Sequence, residues 1–378
     1  MNFKNIIRVI IASLCLKFAY LVFAFLILGN TSIFSVKDYS NIIHRNDTGW
    51  FEKIATSWYP KVTEKKDLGY NNGLDFKQSE WAFFPLYPGL NRITMKWLDI
   101  DFRLSGFFWS ILFSTLSFIG FYVFCELYFN DPKKAFYCSL LFLLFPFHYY
   151  YSMMYSEAVF FTFLIYSFIA IHVRRHLLLF LLMIPLVLVR PNGIIVIIPL
   201  YIYFLERNSI ISKKHINFGL LFSNKNILQT FLFLSGPIAF LLYCVYQKYM
   251  TGFYFAFSIA QVGWYKEFMF PLFSLFRGSN IITQFNSYYT VTAILLSIII
   301  WRKLPLSLNI FIWISLLLPL CAGSVTSMPR YIALIFPFMI IIGDWLYPYR
   351  YKFYFSGIFF SLQLCVFYYW LTWSPFSY

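Results

Sequence analysis

Asp47 lies in the run His44-Arg45-Asn46-Asp47-Thr48-Gly49-Trp50, just beyond the first long apolar stretch of the chain. A carboxylate placed there can take a proton from a hydroxyl while that oxygen attacks carbon. Three further charges, Glu157, Arg190 and Arg330, fall near the ends of apolar runs at comparable depth. The planar fork of arginine matches two phosphate oxygens. Arg330, in Ser327-Met328-Pro329-Arg330-Tyr331, also stands at a helix start, where unpaired amides favour anions. A carboxylate with guanidinium groups nearby points to chemistry on a lipid-linked phosphate. The competing reading makes Asp47 a helix cap, with Thr48 and Gly49 completing a turn. His148 and tyrosines 149, 150, 151 and 155 form a second polar group; a lone histidine there is commonly a structural hydrogen-bonder. No GxGxxG and no GxxxxGK followed by Ser or Thr occurs, which disfavours a soluble nucleotide donor.

The elements that position these residues must be membrane helices. The chain is 60% hydrophobic, 24% aromatic and only 12% charged, against about 25% charged in soluble domains. Apolar runs of roughly 17 to 25 residues recur along its length. The fold class is therefore an all-α polytopic membrane protein, read as a single domain over residues 1–378. The net charge of +15 does not indicate nucleic acid. Its basic residues concentrate in short segments between apolar runs: Lys4 with Arg8, Lys133-Lys134, Arg174-Arg175, Arg207 with Lys213, Lys214 and Lys225, Arg302-Lys303, and Arg350 with Lys352. Only Asp131 and Glu206 oppose them, so the charge reports topology by the positive-inside rule. Six cysteines occur singly and without metal spacing, as inert buried thiols would.

Placing the basic segments in the cytoplasm gives about eleven spans, with the N-terminus cytoplasmic. The first, at about 6–29, leads to a long external segment, 30–103, with ten basic and nine acidic side chains. Further spans are expected at about 104–125, from the Asp131-Pro132-Lys133-Lys134 turn out to Phe145-Pro146-Phe147-His148, and at about 156–174. Two short halves then meet at Arg190-Pro191-Asn192-Gly193. The last spans are expected at about 228–248, 284–301, 305–322, 331–347 and 353–373. The second external segment covers 249–283. Lys17, central in the first span, is expected to pair with an acid. Glu126, Lys248 and Asp344 lie near span ends and can snorkel. Within 30–103, Ile54-Ala55 and Trp58-Tyr59-Pro60 suit an interfacial helix. The run from Glu80 through Trp81 to Pro88 suits aromatic anchoring at headgroup depth.

Five runs in order, Asn46 to Trp50, Ala82-Phe83-Phe84-Pro85-Leu86-Tyr87-Pro88, Tyr155-Ser156-Glu157, Arg190-Pro191-Asn192-Gly193 and Pro329-Arg330-Tyr331, resemble the PIG-V family of GT-C glycosyltransferases. That family includes the second mannosyltransferase of GPI-anchor synthesis and bacterial relatives. The likeness spans nearly the whole chain, and the second and fourth runs together carry its specificity. Thr251 to Phe257, followed by Gln261 and Trp264, is similar to a family stretch that has an acid where this chain has Phe253. The family's Trp-Asp pair is here Asn46-Asp47.

The resemblance implies a polyprenyl-phosphate-linked sugar donor, an acceptor hydroxyl on a glycan, lipid or protein, and inversion at the anomeric carbon. It makes Asp47 the catalytic base. Arg330, then Arg190, would stabilise the leaving phosphate, with Glu157 orienting the acceptor or holding an arginine. Glu80, Trp50, Tyr331, Asn192 and His148 complete the expected substrate-binding set. The scheme requires no cofactor and no metal. Mannose is suggested by the family's name alone. A composition rich in Ile, Phe, Lys and Asn reads as bacterial, which places the chain in an inner membrane among its lipids, with the site facing the periplasm. Two rival classes remain. A polysaccharide polymerase or ligase would carry its large external loop late in the chain, whereas here it follows the first span. A lipid or glycan transporter would show matched broken helices in two halves, and only one broken pair is present.

Overall fold

The computed structural model describes residues 3–29, 34–211 and 217–377. Lys213 and Lys214 of the basic segments and the first residues of the 30–103 segment lie outside these. The described chain is mostly helical, with one small antiparallel hairpin.

Four helices are long and apolar enough to cross a membrane: Phe3–Leu28, Phe102–Phe129, Asn226–Thr251 and Lys352–Leu371. A fifth results if Pro146–Ser152 and Glu157–His172, bent by 98°, count as one span. The described residues thus fit an all-α membrane protein with four to five such helices, not the eleven spans expected. A straight crossing needs about 20 apolar residues, and several expected spans stop short of that. His176–Val189 has 14 residues, Leu306–Leu320 has 15 and Pro337–Leu346 has 10. The expected 331–347 span divides into Met328–Ile332 and the helix beginning at Pro337. Ile281–Ile300 has 20 residues, but Thr283, Gln284, Asn286, Ser287 and Thr290 make its first half polar.

The Arg190-Pro191-Asn192-Gly193 break is present between His176–Val189 and Ile197–Arg207, with one short turn, Asn192–Ile195, inside it. Glycine is required at that turn, because a Cβ at 193 would meet the Leu186 carbonyl and the Val187 backbone. Lys17 does not pair with an acid among the described residues. Its amine donates to its own helix, reaching the Ser13 hydroxyl at 2.8 Å. Lys134 holds Asp344, and Lys248 donates to the Gly252 carbonyl at 2.7 Å, as side chains at helix ends can.

The core is aromatic and centred on Phe102–Phe129, which packs against Pro132–Leu144 and Glu157–His172. Phe121 stacks on Phe142 with centroids 4.3 Å apart, and Phe142 on Phe161 at 5.0 Å. Each such pair adds about 0.5–1.5 kcal/mol beyond its burial. Two serines on the central helix tie down the turn before Glu157 and the first turn of the helix that Glu157 opens. Ser110 donates to the Met153 carbonyl at 3.0 Å, and Ser117 to the Ala158 carbonyl at 2.9 Å. The Met153 carbonyl, freed by the bend, needs a donor of this kind.

The 34–103 segment contains the helices Val36–Ile43, Asp47–Ser57 and Leu86–Leu98, with the shorter Lys65–Leu68 and Glu80–Ala82 between the last two. It also contains the hairpin of Tyr70–Asn72 and Asp75–Lys77, which the sequence reading missed. Ile54, Tyr59 and Trp81 form a second apolar cluster with Ala256 and Ala260. That cluster fastens the 34–103 segment to the 249–283 segment.

Candidate functional site

Asp47 is the first residue of the Asp47–Ser57 helix, not its cap. The cap position belongs to Asn46, whose side chain makes no capping bond. The elbow before the helix is fixed from both sides. Met154 N–H donates to the Ile43 carbonyl at 3.3 Å, and Thr48 Oγ1 to the Met154 carbonyl at 3.2 Å. This docks Asp47 beside the 153–156 turn, directly before Glu157.

Four charges meet there. Arg330 donates Nη1 to Asp47 Oδ2 at 2.7 Å and Nε to Glu157 Oε1. Arg190 donates Nη1 to the same Glu157 oxygen at 2.6 Å. Glu157 is buried at 1% exposure and both arginines are nearly so, while the Asp47 side chain remains 27% exposed. The cluster is formally neutral, as deeply placed charges must nearly be. Its open side is the Asp47 carboxylate. Among the described residues, Glu157 Oε2 and the Tyr155 hydroxyl have no hydrogen-bond partner, though both are buried beside it.

Aromatic rings complete the arginines' surroundings. The Arg330 guanidinium lies 4.4 Å from the Tyr155 ring centroid, and that of Arg190 lies 5.6 Å from Tyr331. Burial opposes charge on Arg330, but Glu157 and Asp47 hold its guanidinium well above the ordinary arginine value. It is a permanent cation. Lys266 draws the Tyr331 hydroxyl below the usual tyrosine value against burial, helped by Arg190 and Arg330.

Asp47, Glu157, Arg190, Arg330 and Tyr331 are thus brought together, although Asp47 and Arg330 stand 283 residues apart. Asn192 joins them by lining a small cavity with Tyr331 and Phe160. Trp50 and Glu80 stand apart from the ionic cluster. Trp50 stacks on Phe83 at 6.0 Å and meets Trp264 at 5.6 Å, and Glu80 pairs with Lys53 at 2.5 Å. His148 is sealed away. Both its ring nitrogens face main-chain carbonyls, of Phe142 and of Ala333 at 2.7 Å, so neither is left for a ligand. Phe253, standing where the similar stretch has an acid, packs against the Ile54–Trp81 cluster.

Sequence reasoning missed Lys266 as a site residue. It enters because Glu267 and Met269 N–H donate to the Ala322 and Cys321 carbonyls at 3.3 and 2.9 Å, near the Met328–Ile332 helix. A charge two residues after Trp264 in an otherwise aromatic segment was the available signal. No family model matches the chain, and no curated protein matches it either.

Proposed function

We propose that this chain is a membrane glycosyltransferase of the GT-C type, resembling the PIG-V family. It moves a sugar from a polyprenyl-phosphate donor to an acceptor hydroxyl. The observation that carries this reading is the half-open Asp47 carboxylate bonded to a buried arginine that is itself held by Glu157. Asp47 takes the proton of the acceptor O–H as its oxygen bonds to the anomeric carbon. The bond from that carbon to the phosphate oxygen breaks with its electron pair, giving inversion, and the lipid phosphate leaves as an anion. Arg330 and Arg190 answer that developing charge, with Lys266 adding to the field.

The pairing of Arg330 with Asp47 gives the scheme an order. A phosphate arriving at the guanidinium competes with Asp47 for it, so donor binding loosens the base from its cation before the acceptor is attacked. Glu157 keeps both arginines aimed throughout. In this account the N-terminus is cytoplasmic, Phe3–Leu28 crosses outward and Phe102–Phe129 returns. The 34–103 segment and the site then face the outer side of a bacterial inner membrane.

The test is transfer by purified protein in liposomes loaded with a labelled polyprenyl-phosphate hexose. Turnover to a hydroxyl acceptor, with release of polyprenyl phosphate, supports the enzyme reading. Movement of intact donor between leaflets without bond cleavage would replace it with a transporter.

A further inference from the structure

Arg45 stands two residues before Asp47 yet reaches away from it. Its guanidinium donates to the Trp370 carbonyl and, at 3.3 Å, to the Leu371 carbonyl. Both carbonyls belong to the last turn of the Lys352–Leu371 helix, where that of Trp370 also accepts from Trp373 N–H at 3.3 Å. The Trp373 ring centroid lies 4.2 Å from the same guanidinium. Trp370 returns the tie, donating its indole N–H to the Ile42 carbonyl at 2.8 Å. The elbow between Val36–Ile43 and Asp47–Ser57 is therefore fastened to a helix end about 325 residues away.

Arg45 is buried, and no ion pair to a carboxylate is found for it among the described residues. Burial pulls its guanidinium down to about 10, partly offset by Tyr155 and Tyr149, so it is still a cation at neutral pH. Its charge is answered by helix-end carbonyls and ring faces, both of which favour a cation. A buried cation without a carboxylate is costly, and this one sits where backbone must be constrained. The next residue, Asn46, holds φ 51 and ψ −114, a conformation that side chains other than glycine rarely adopt. Trp370 also packs edge-on against Tyr155 at 5.7 Å, the ring that carries Arg330. One tryptophan thus touches the supports of both members of the Asp47–Arg330 pair.

We propose that Arg45 is a positioning residue, clamping the Asp47 elbow onto the end of the Lys352–Leu371 helix so that the carboxylate meets Arg330. This rests on the reading of Asp47 as the base. The clamp requires guanidinium geometry, because two carbonyls and two ring faces are engaged at once.

The experiment compares wild type, Arg45→Ala, Arg45→Lys and Arg92→Ala by hydrogen exchange in nanodiscs. Arg92 is the control, since it ties the other end of the Asp47 helix through the Ala55 and Thr56 carbonyls. Arg45→Ala should speed exchange at least tenfold in peptides spanning 43–50 and 366–373 together, leaving the 157–172 helix unchanged. Arg45→Lys should give an intermediate result and serves as the variant read if the alanine form does not accumulate. With a labelled polyprenyl-phosphate hexose as donor, kcat should fall at least tenfold with donor KM retained, and Arg92→Ala should leave kcat within about twofold. Unchanged exchange at 43–50 in a folded Arg45 variant overturns the clamp, as does wild-type kcat. Coupled loosening, with wild-type transfer by Asp47→Asn, would instead sink the catalytic reading of Asp47 and with it the positioning role.

Discussion

Glu157→Gln keeps the shape of the side chain and removes the one negative charge that two arginines share. Arg190 and Arg330 both bond Oε1, the former at 2.6 Å. With charge centres about 4 Å apart and an effective dielectric near 20, each attraction is about 4 kcal/mol before desolvation. Removing one partner of a buried pair costs about 3–5 kcal/mol, because the other charge is stranded. Arg330 keeps Asp47 at 2.7 Å, so the stranded charge is mainly that of Arg190. The expected loss is therefore at the lower end, about 3 kcal/mol. Unfolding by SDS titration in mixed micelles, followed by tryptophan fluorescence, measures it. A cycle with Arg190→Gln should show coupling of about 1–3 kcal/mol, since neutralising both leaves no orphan. The coupling should change little with added salt, which screens exposed pairs far more than buried ones. A Glu157→Gln protein within about 0.5 kcal/mol of wild type, the range of surface changes, would refute the claim that Glu157 holds the arginines.

Other variants probe separate parts of the site. Arg330→Lys keeps the charge but cannot reach Asp47 and Glu157 through separate nitrogens of a planar fork; transfer should fall at least tenfold in a steady-state assay. Gly193→Ala forces a Cβ onto the Leu186 carbonyl and should destabilise by about 1–3 kcal/mol in the same SDS titration. Trp264→Ala opens the Trp50–Phe83 cluster on the exposed side of the Asp47 helix and should raise acceptor KM more than it lowers kcat. An unchanged acceptor KM would return that cluster to membrane anchoring.

The apolar runs and the proline-glycine break were legible because both are local. The number of crossings was not. Hydropathy registers an apolar run but not a 98° bend such as the one between Ser152 and Glu157. Nor does it show that Ile281–Ile300, polar in its first half, packs against the Met328–Ile332 helix. The hairpin carried a signal, Asn72 followed by Gly73 at φ +72, but strands of three residues are too short to announce themselves by alternation. Glu157, Arg190 and Arg330 could be singled out as charges near the ends of apolar runs, where charge is rare, and Asp47 as a carboxylate just beyond the first such run. Their pairing could not, because it depends on how the 153–156 turn docks against the Asp47 elbow. His148 shows the same limit from the other side, being a titratable group near the right depth whose bonds all face inward.

Asp47→Asn is the most direct test of the central claim. The variant is compared with wild type at matched membrane levels, using the labelled polyprenyl-phosphate hexose and a hydroxyl acceptor. Loss of a general base lowers turnover by about 10²–10⁴, and the account predicts that loss with donor binding retained, since both arginines and Glu157 remain. Transfer by Asp47→Asn at the wild-type rate would contradict it.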